Sequence, residues 1–306
     1  MAYSDQRVLS IQSHVVSGYV GNKSATFPMQ VLGYEVDAIN SVQLCSHTGY
    51  KVFQGQVLNA EELKTLYEGL KINEIDQYSH VLTGYVGSES FLKEVVNIVK
   101  EMKQKNPKTL FVCDPVLGDF GVGYYVPKEL MPIYRDQLLP LSDIATPNQF
   151  EAELLADMTI KTEEDALKCM DIIHGLGVKN VVLSSTELAE RDDTLLLLGS
   201  QLVGDKKKII KLEMKKFDAH YTGTGDLFTA LLLVWSHKHP DNLALACEKT
   251  ISTMQVILKR TLDAAREIAG PGKKPNVAQI ELRLVQSKKV IEEPPTDVVK
   301  AVVIEK

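Results

Sequence analysis

With 306 residues, 44% hydrophobic and 24% charged, the chain has the composition of an ordinary soluble globular protein, long enough for one large α/β domain or two modest ones. A net charge of -6 without a sustained basic block argues against nucleic acid as a partner. The opening MAYSDQRVLSIQSHV carries no signal-peptide core, no apolar run suits a membrane span, and the four cysteines (Cys45, Cys113, Cys169, Cys247) lack metal-ligand spacing, so a cytosolic protein in a reducing compartment, without a membrane partner, is expected.

Short β-branched runs alternate with longer helical patterns. Strands are predicted at 7–11, 34–39, 80–85, 109–116, 143–147, 180–185, 194–200 and 208–214. Helices are predicted at 23–32, 60–71, 88–105, 128–139, 148–156, 163–174, 226–237 and 242–264. Strands separated by long helices require crossover connections, hence a central, mostly parallel sheet flanked by helices, with an antiparallel extension after residue 190. The lysines at 206–208 read as a solvated turn, ELRLVQSK (281–288) as a returning strand, and VVKAVVIEK as a final extended segment. No linker or repeat divides the chain, so one domain over 1–306 is expected.

In a doubly wound sheet, ligands gather beyond the carboxyl ends of the strands, and several polar clusters fall there. Ser13 follows the first strand; its turn holds Gly18 and Gly21 but neither the dinucleotide fingerprint nor a P-loop. Ser13 is a ligand hydrogen bonder or a turn hydroxyl. In NSVQLCSHTGY, Thr48 stands as a possible substrate contact, and His47 as either a loop histidine or a catalyst. Asp114 ends a very apolar strand in VCDPVLGD, where a carboxylate needs a partner such as a cation, unless Asp-Pro merely forms a turn. Asp119 and the flexible, aromatic FGVGYYVP follow, with the composition of a flap. Asn148 and Glu151, three apart in TPNQFEAELL, suit either a hydrated magnesium or a helix cap.

The stretch DAHYTGTGDLFTALLLVW places Gly223, Thr224 and Gly225 at the mouth of a buried helix, where free N–H groups and the helix dipole favour an anion. Asp226 would repel a resting phosphate, but suits a phosphoryl group in transfer if it takes the proton of the attacking hydroxyl. From these residues alone, an N-cap aspartate after a Gly-rich turn is the commoner arrangement.

Taken together, Asp-Pro after a central strand, then TPNQFEAELL, then GTGDLF resemble the ribokinase-like superfamily, and SIQSHVVSGYVGNKSATFPMQVLG, HTGY, LTGY and CDPVLGD narrow the resemblance to the pyridoxal kinase family. The likeness runs from Arg7 through ELRLVQSK; GTGD alone is shared with sugar and hydroxymethylpyrimidine kinases, whereas the ordered set is specific. It implies a ribokinase-like α/β fold with helices on both faces of the sheet, and ATP-dependent phosphorylation of the 5′-hydroxymethyl group of pyridoxal, pyridoxine or pyridoxamine. By the same resemblance, Asp226 is the base and Gly223, Thr224 and Gly225 the anion hole. Ser13 and Thr48 contact the pyridine and its substituents, Tyr85 packs on the ring, Val20 is an apolar contact, and Tyr125 belongs to the flap. Asn148 and Glu151, with Asp114 nearby, match a magnesium–phosphate network, with zinc as an alternative metal. Asp119, Thr146 and Ser184 match positions around a potassium or sodium ion. Ser184, Ser185, Phe217, Asp218 and Ala219 line the nucleotide, and a homodimer is implied. Leu44 stands where mammalian members commonly carry Phe, Phe53 where they carry Trp, and the flap is shorter.

Two other readings compete. A sugar kinase would call for more carboxylates and amides than Ser13, Thr48 and Tyr85 supply. A catalytically silent vitamer-binding protein would be expected to have lost Asp226 or a glycine of the helix mouth, and both are present.

Overall fold

A computed structural model describes residues 6–204 and 206–305. The predicted alternation is realised as β1 (Arg7–Val15), α1 (Asn22–Val31), β2 (Glu35–Leu44), β3 (Gly55–Val57), α2 (Ala60–Ile72), β4 (His80–Thr83), α3 (Glu89–Lys105) and β5 (Leu110–Cys113). A small hairpin follows, β6 (Gly118–Asp119) with β7 (Gly123–Tyr124), then α4 (Leu130–Ile133), β8 (Ile144–Ala145), α5 (Gln149–Ala156), α6 (Glu163–Gly175) and β9 (Asn180–Thr186). The chain closes with β10 (Thr194–Val203), β11 (Lys206–Lys215), α7 (Thr224–Lys238), α8 (Leu243–Ala269), α9 (Lys288–Glu292) and β12 (Val302–Glu305).

Ten strands form one sheet in the order β12-β11-β10-β9-β8-β5-β4-β1-β2-β3. The pairs from β2 through β1, β4, β5 and β8 to β9 are parallel, while β3, β10, β11 and β12 add antiparallel pairs at the two sides. Side chains alternate across the sheet as a period of two requires. Leu9, Ile11, Val81, Phe111, Cys113, Val181 and Leu183 pack with α2, α3, α5 and α6. Val8, Leu82, Val112, Val182, Ile210 and Leu212 pack with α1, α7 and α8. Two apolar layers on one sheet explain why the central strands read as continuous apolar runs.

Helix starts lie where capping chemistry puts them. Asn59 with Glu62, Asn148 with Glu151 and Thr162 with Asp165 each form a reciprocal capping box. The far end of α8 runs past the predicted 264 to Ala269 and stops at Gly270, whose φ is 82°.

Three expectations need correction. ELRLVQSK is not a strand. Leu282 and Leu284 are buried in an i, i+2 pattern, but the segment enters a 3-10 turn at Val285–Ser287 and then α9, and the Arg283 N–H donates to Thr261 Oγ1 on α8 instead of a ladder partner. Lys206, Lys207 and Lys208 are not a turn but the start of β11, paired with Val203, Leu202 and Gln201. The turn lies just before them, at Gly204 with φ of 58°, and Asp205 is outside the described residues. The helix predicted over 128–139 breaks into α4, a π turn at Tyr134–Leu138 and a 3-10 turn at Leu139–Leu141, in a segment carrying Pro132 and Pro140.

Candidate active site

The chain leaves β1 for α1 and β2 on one side, then returns to β4 on the other side of β1. That reversal opens a crevice at the carboxyl ends of β1 and β4. β2, β5, β8, β9 and β11 end on the same edge because all run parallel to β1 or to its parallel neighbours. Ser13 and Ser184 near the ends of β1 and β9, Asp226 on the first turn of α7, and the loops carrying Thr48, Tyr85, Asp114, Thr146 and Phe217 therefore open on one rim.

At the helix mouth, Gly223 caps α7 with φ of 80°, and a Cβ there would lie 1.9 Å from the Tyr19 carbonyl oxygen. Its own carbonyl accepts the Ser24 hydroxyl at 3.0 Å and the Leu227 N–H at 3.1 Å. The mouth is thus locked against the loop that carries Val20. Gly225 is less constrained, since a Cβ would stand 3.7 Å from Asp114 Oδ2, an ordinary contact. Residues 227–235 are all buried, which fixes the axis of α7 toward the rim.

Asp226 is partly accessible; burial raises its carboxyl above the ordinary range, against stabilising hydrogen bonds from the backbone of Gly21 and of Asp226 itself. Gly21 also meets Ser13, for a Cβ at Gly21 would fall 1.9 Å from the Ser13 carbonyl oxygen. Ser13 sits at a register shift between Gln12 and His14, and such a bulge re-aims a side chain next to a site. Ser13, Gly21 and Asp226 thus form a continuous wall.

Next to this wall lie further acids. Asp114 is 7% exposed and accepts one long hydrogen bond, from Thr229 Oγ1 at 3.3 Å. Thr229 also donates to the Gly225 carbonyl at 3.0 Å and meets Thr146 Oγ1 at 3.0 Å. Burial first, then repulsion from Glu151 and Asp226, pushes the Asp114 carboxyl well above its usual range. Glu151, 4% exposed, is pushed up to about 8 by burial, although backbone hydrogen bonds oppose the shift. Its Oε1 accepts the Leu117 N–H at 2.9 Å and the Gly118 N–H at 3.4 Å, and its Oε2 the Asn148 N–H at 3.0 Å. Glu151 and Asn148 do cap a helix, as the simpler reading held; they also fasten the base of the β6–β7 hairpin, because Asn148 Nδ2 donates to the Gly118 carbonyl at 2.8 Å.

Among the described residues no lysine, arginine or histidine pairs with Asp114, Glu151 or Asp226. A buried acid set of this kind fits a divalent cation, which would remove the mutual repulsion. No three His, Cys, Asp or Glu side chains among the described residues converge to grip an ion by themselves. Asp114, Glu151 and Asn148 are the oxygen donors here that could hold such a cation.

The remaining residues are placed less tightly. Tyr85 is half-buried beyond β4, its carbonyl accepting the Ser41 hydroxyl at 2.7 Å. Thr48 is exposed in the turn between His47 and Tyr50, and a Cβ at Gly49 would stand 3.8 Å from Thr222 Oγ1, beside the helix mouth. Asp119 lies in the hairpin and accepts the Phe120 N–H; Tyr125 follows it, its N–H donating to the Leu117 carbonyl at 2.8 Å. Ser184 N–H donates to the Pro147 carbonyl at 3.2 Å, and Ser185 follows in β9. No hydrogen bond or ion pair joins Asp119, Thr146 and Ser184 to one another. Phe217, Asp218 and Ala219 form a tight turn after β11, with the Ala219 N–H on the Phe217 carbonyl at 2.8 Å. Leu44 ends β2 half-buried, and Phe53 is 47% exposed.

Sequence reasoning missed Glu281. It accepts hydrogen bonds from residues 234 and 262 positions earlier, and no spacing pattern reports a partnership that remote.

The family model described as phosphomethylpyrimidine kinase matches residues 55–268. The chain is 55% identical to a pyridoxal kinase of Sus scrofa over 98% of this chain and 96% of that one. Pyridoxal kinase from Leishmania donovani in complex with ADP and pyridoxamine superposes with a TM-score of 0.88 at 36% identity, covering 98% of this chain and 99% of that one. The same protein with ADP and pyridoxine gives a TM-score of 0.89 at 36% identity, covering 98% and 100%. On its sequence and its fold, the chain belongs to the pyridoxal kinase family of ribokinase-like kinases.

Proposed function

We propose that this chain transfers the γ-phosphoryl group of ATP to the 5′-hydroxymethyl group of pyridoxal, and likewise of pyridoxine and pyridoxamine, forming pyridoxal 5′-phosphate in the first case. The observation that carries the reading is Asp226, on the first turn of α7, held by the Gly21 backbone and adjoining a buried acid set with which no cationic side chain pairs among the described residues.

A primary alcohol is far too weak an acid for a carboxylate to ionise it beforehand, so Asp226 accepts the proton as the oxygen–phosphorus bond forms. Its raised basicity helps that transfer. The free N–H groups at residues 223–225 point out of the helix and donate hydrogen bonds to the phosphoryl oxygens. Ser13 and Thr48 hydrogen-bond the pyridine substituents, Tyr85 packs on its face, Val20 adds an apolar contact, and Tyr125 covers the site with the hairpin. Ser184, Ser185, Phe217, Asp218 and Ala219 line the nucleotide. Asp114 and Glu151, with Asn148, would hold magnesium, and Asp119, Thr146 and Ser184 would hold a potassium ion. The magnesium supplies charge neutralisation at the transferred group. The chain acts as a single kinase domain over residues 1–306, as a homodimer in the cytosol. One continuous sheet supports the first point, and no described helix is long and apolar enough to cross a membrane.

The direct test is phosphorylation of pyridoxal with Mg-ATP, read by product absorbance. No turnover on any of the three vitamers would overturn the assignment.

Two further outcomes are expected. Tyr85→Ala should raise KM for pyridoxal several-fold more than KM for ATP, because a flat ring loses its packing partner. An effect confined to ATP would mean that Tyr85 serves the nucleotide. Activity should vanish with a chelator, return with magnesium, and rise when potassium replaces sodium at constant ionic strength. Glu151→Gln should shift the magnesium titration while leaving pyridoxal affinity nearly unchanged. An unchanged titration would restrict Glu151 to capping α5 and holding the hairpin.

A further inference from the structure

The Glu281 side chain is 11% exposed, on a segment anchored by the fully buried Leu282 and Leu284 and by the Arg283 N–H on α8. Its carboxylate is reached from two separate loops. From the first, the Tyr19 N–H donates to Oε2 at 3.0 Å. Gly18 packs so closely that a Cβ would lie 2.5 Å from Oε1, and Gly18 has φ of 97°. From the second, His47 Nε2 meets Oε1 at 3.1 Å and the Tyr50 hydroxyl donates to Oε1 at 2.9 Å. The Gly49 N–H occupies His47 Nδ1 at 3.1 Å, which leaves the ring proton on Nε2, facing Glu281.

These contacts span Val20 on one loop and Thr48 on the other. We propose that Glu281 is a positioning residue that clamps the 17–21 and 46–50 loops together and so sets the affinity for the pyridine ring, without touching the reacting atoms. The inference rests on the substrate reading above. It follows from a specific donor count. Every partner of Glu281 donates, so the site accepts only an acceptor on both oxygens. A glutamine in either amide orientation would aim an NH₂ at a donor: at the Tyr19 N–H, or at His47 Nε2 and Tyr50. The two rotamers cannot both be satisfied, and at least one loop is released.

The test is steady-state kinetics of wild type and Glu281→Gln with pyridoxal and ATP varied in turn, together with a thermal melt and amide exchange over 17–21 and 46–50. Glu281→Gln is expected to raise KM for pyridoxal about tenfold while kcat and KM for ATP stay within about twofold and amide exchange quickens in both loops, as loss of a charged hydrogen-bond network that serves only binding should do. An unchanged KM for pyridoxal overturns the proposal. So does a loss shared equally by kcat, both KM values and Tm, which marks a merely structural carboxylate. If Glu281→Gln does not fold, Tyr50→Phe, which removes one donor and keeps the ring, decides by the same split. Wild type without turnover on any vitamer defeats the substrate reading instead; the clamp is then judged by exchange alone, and unchanged exchange in both loops overturns it.

Discussion

Asp226→Asn is expected to lower kcat by about 10²–10⁴-fold, the usual contribution of a general base, while pyridoxal and ATP still bind. Asparagine keeps the shape and the acceptor for the Gly21 backbone, but it cannot take the proton. The pH dependence separates this from a packing defect. Burial raises the Asp226 carboxyl, so the base form is lost as pH falls through a value above the ordinary carboxylate range. Wild-type kcat should therefore decline on the acidic side, and the small residual rate of Asp226→Asn should lack that limb. Stability has the opposite sign. A carboxyl with a raised folded pKa contributes stability below its unfolded pKa and loses it as pH rises through the folded one. At neutral pH the ionised side chain is thus a burden, and Asp226→Asn should melt no lower than wild type. A variant keeping more than half of wild-type kcat would remove Asp226 from the chemistry.

The second large effect is expected at Gly223. Its φ of 80° lies in the left-handed region, which for alanine costs about 1–2 kcal/mol by itself. The added Cβ would also stand 1.9 Å from the Tyr19 carbonyl oxygen, a backbone atom that moves only with its loop. Gly223→Ala should therefore shift the helix mouth against the Val20 loop, lower Tm, and cut kcat/KM by about 10²-fold or more, since misplacement on the order of 1 Å has that consequence in an aligned site. Gly69→Ala is the control. Gly69 lies inside α2, has nothing within 4 Å of its would-be Cβ, and should be neutral or stabilising by up to about 1 kcal/mol. Gly223→Ala within twofold of wild type in kcat/KM would show that the mouth does not need its geometry.

Much of this molecule is legible in its amino-acid order because the signals are local. Asn59, Asn148 and Thr162 announce their helices through capping partners three residues on, and the alternating strands announce their two buried faces. The glycines of GTGD at the start of an apolar helix mark its N-terminus, where Gly223 caps α7. Where local signals conflict, the sequence misleads. Leu282 and Leu284 alternate like a strand, yet the N–H of Arg283 between them donates to Thr261 Oγ1 on α8 and not to a ladder partner.

Only the tertiary structure decided how the acids are partnered. Asn148 and Glu151 have the spacing of both a cap and a cation site, and the fold shows the cap made while leaving Asp114 beside them with one long hydrogen bond and, among the described residues, no positive partner. It also decided which of the two glycines at the mouth is required, because the Tyr19 carbonyl that excludes a side chain at Gly223 comes from a loop some two hundred residues away. Glu281 is the extreme case: three donors from two loops converge on it only when the sheet order brings the end of β1, the end of β2 and the segment after α8 to one rim. Residue type and spacing encode what a side chain can do; the partners that determine whether it does so are set by packing over distances that local sequence does not record.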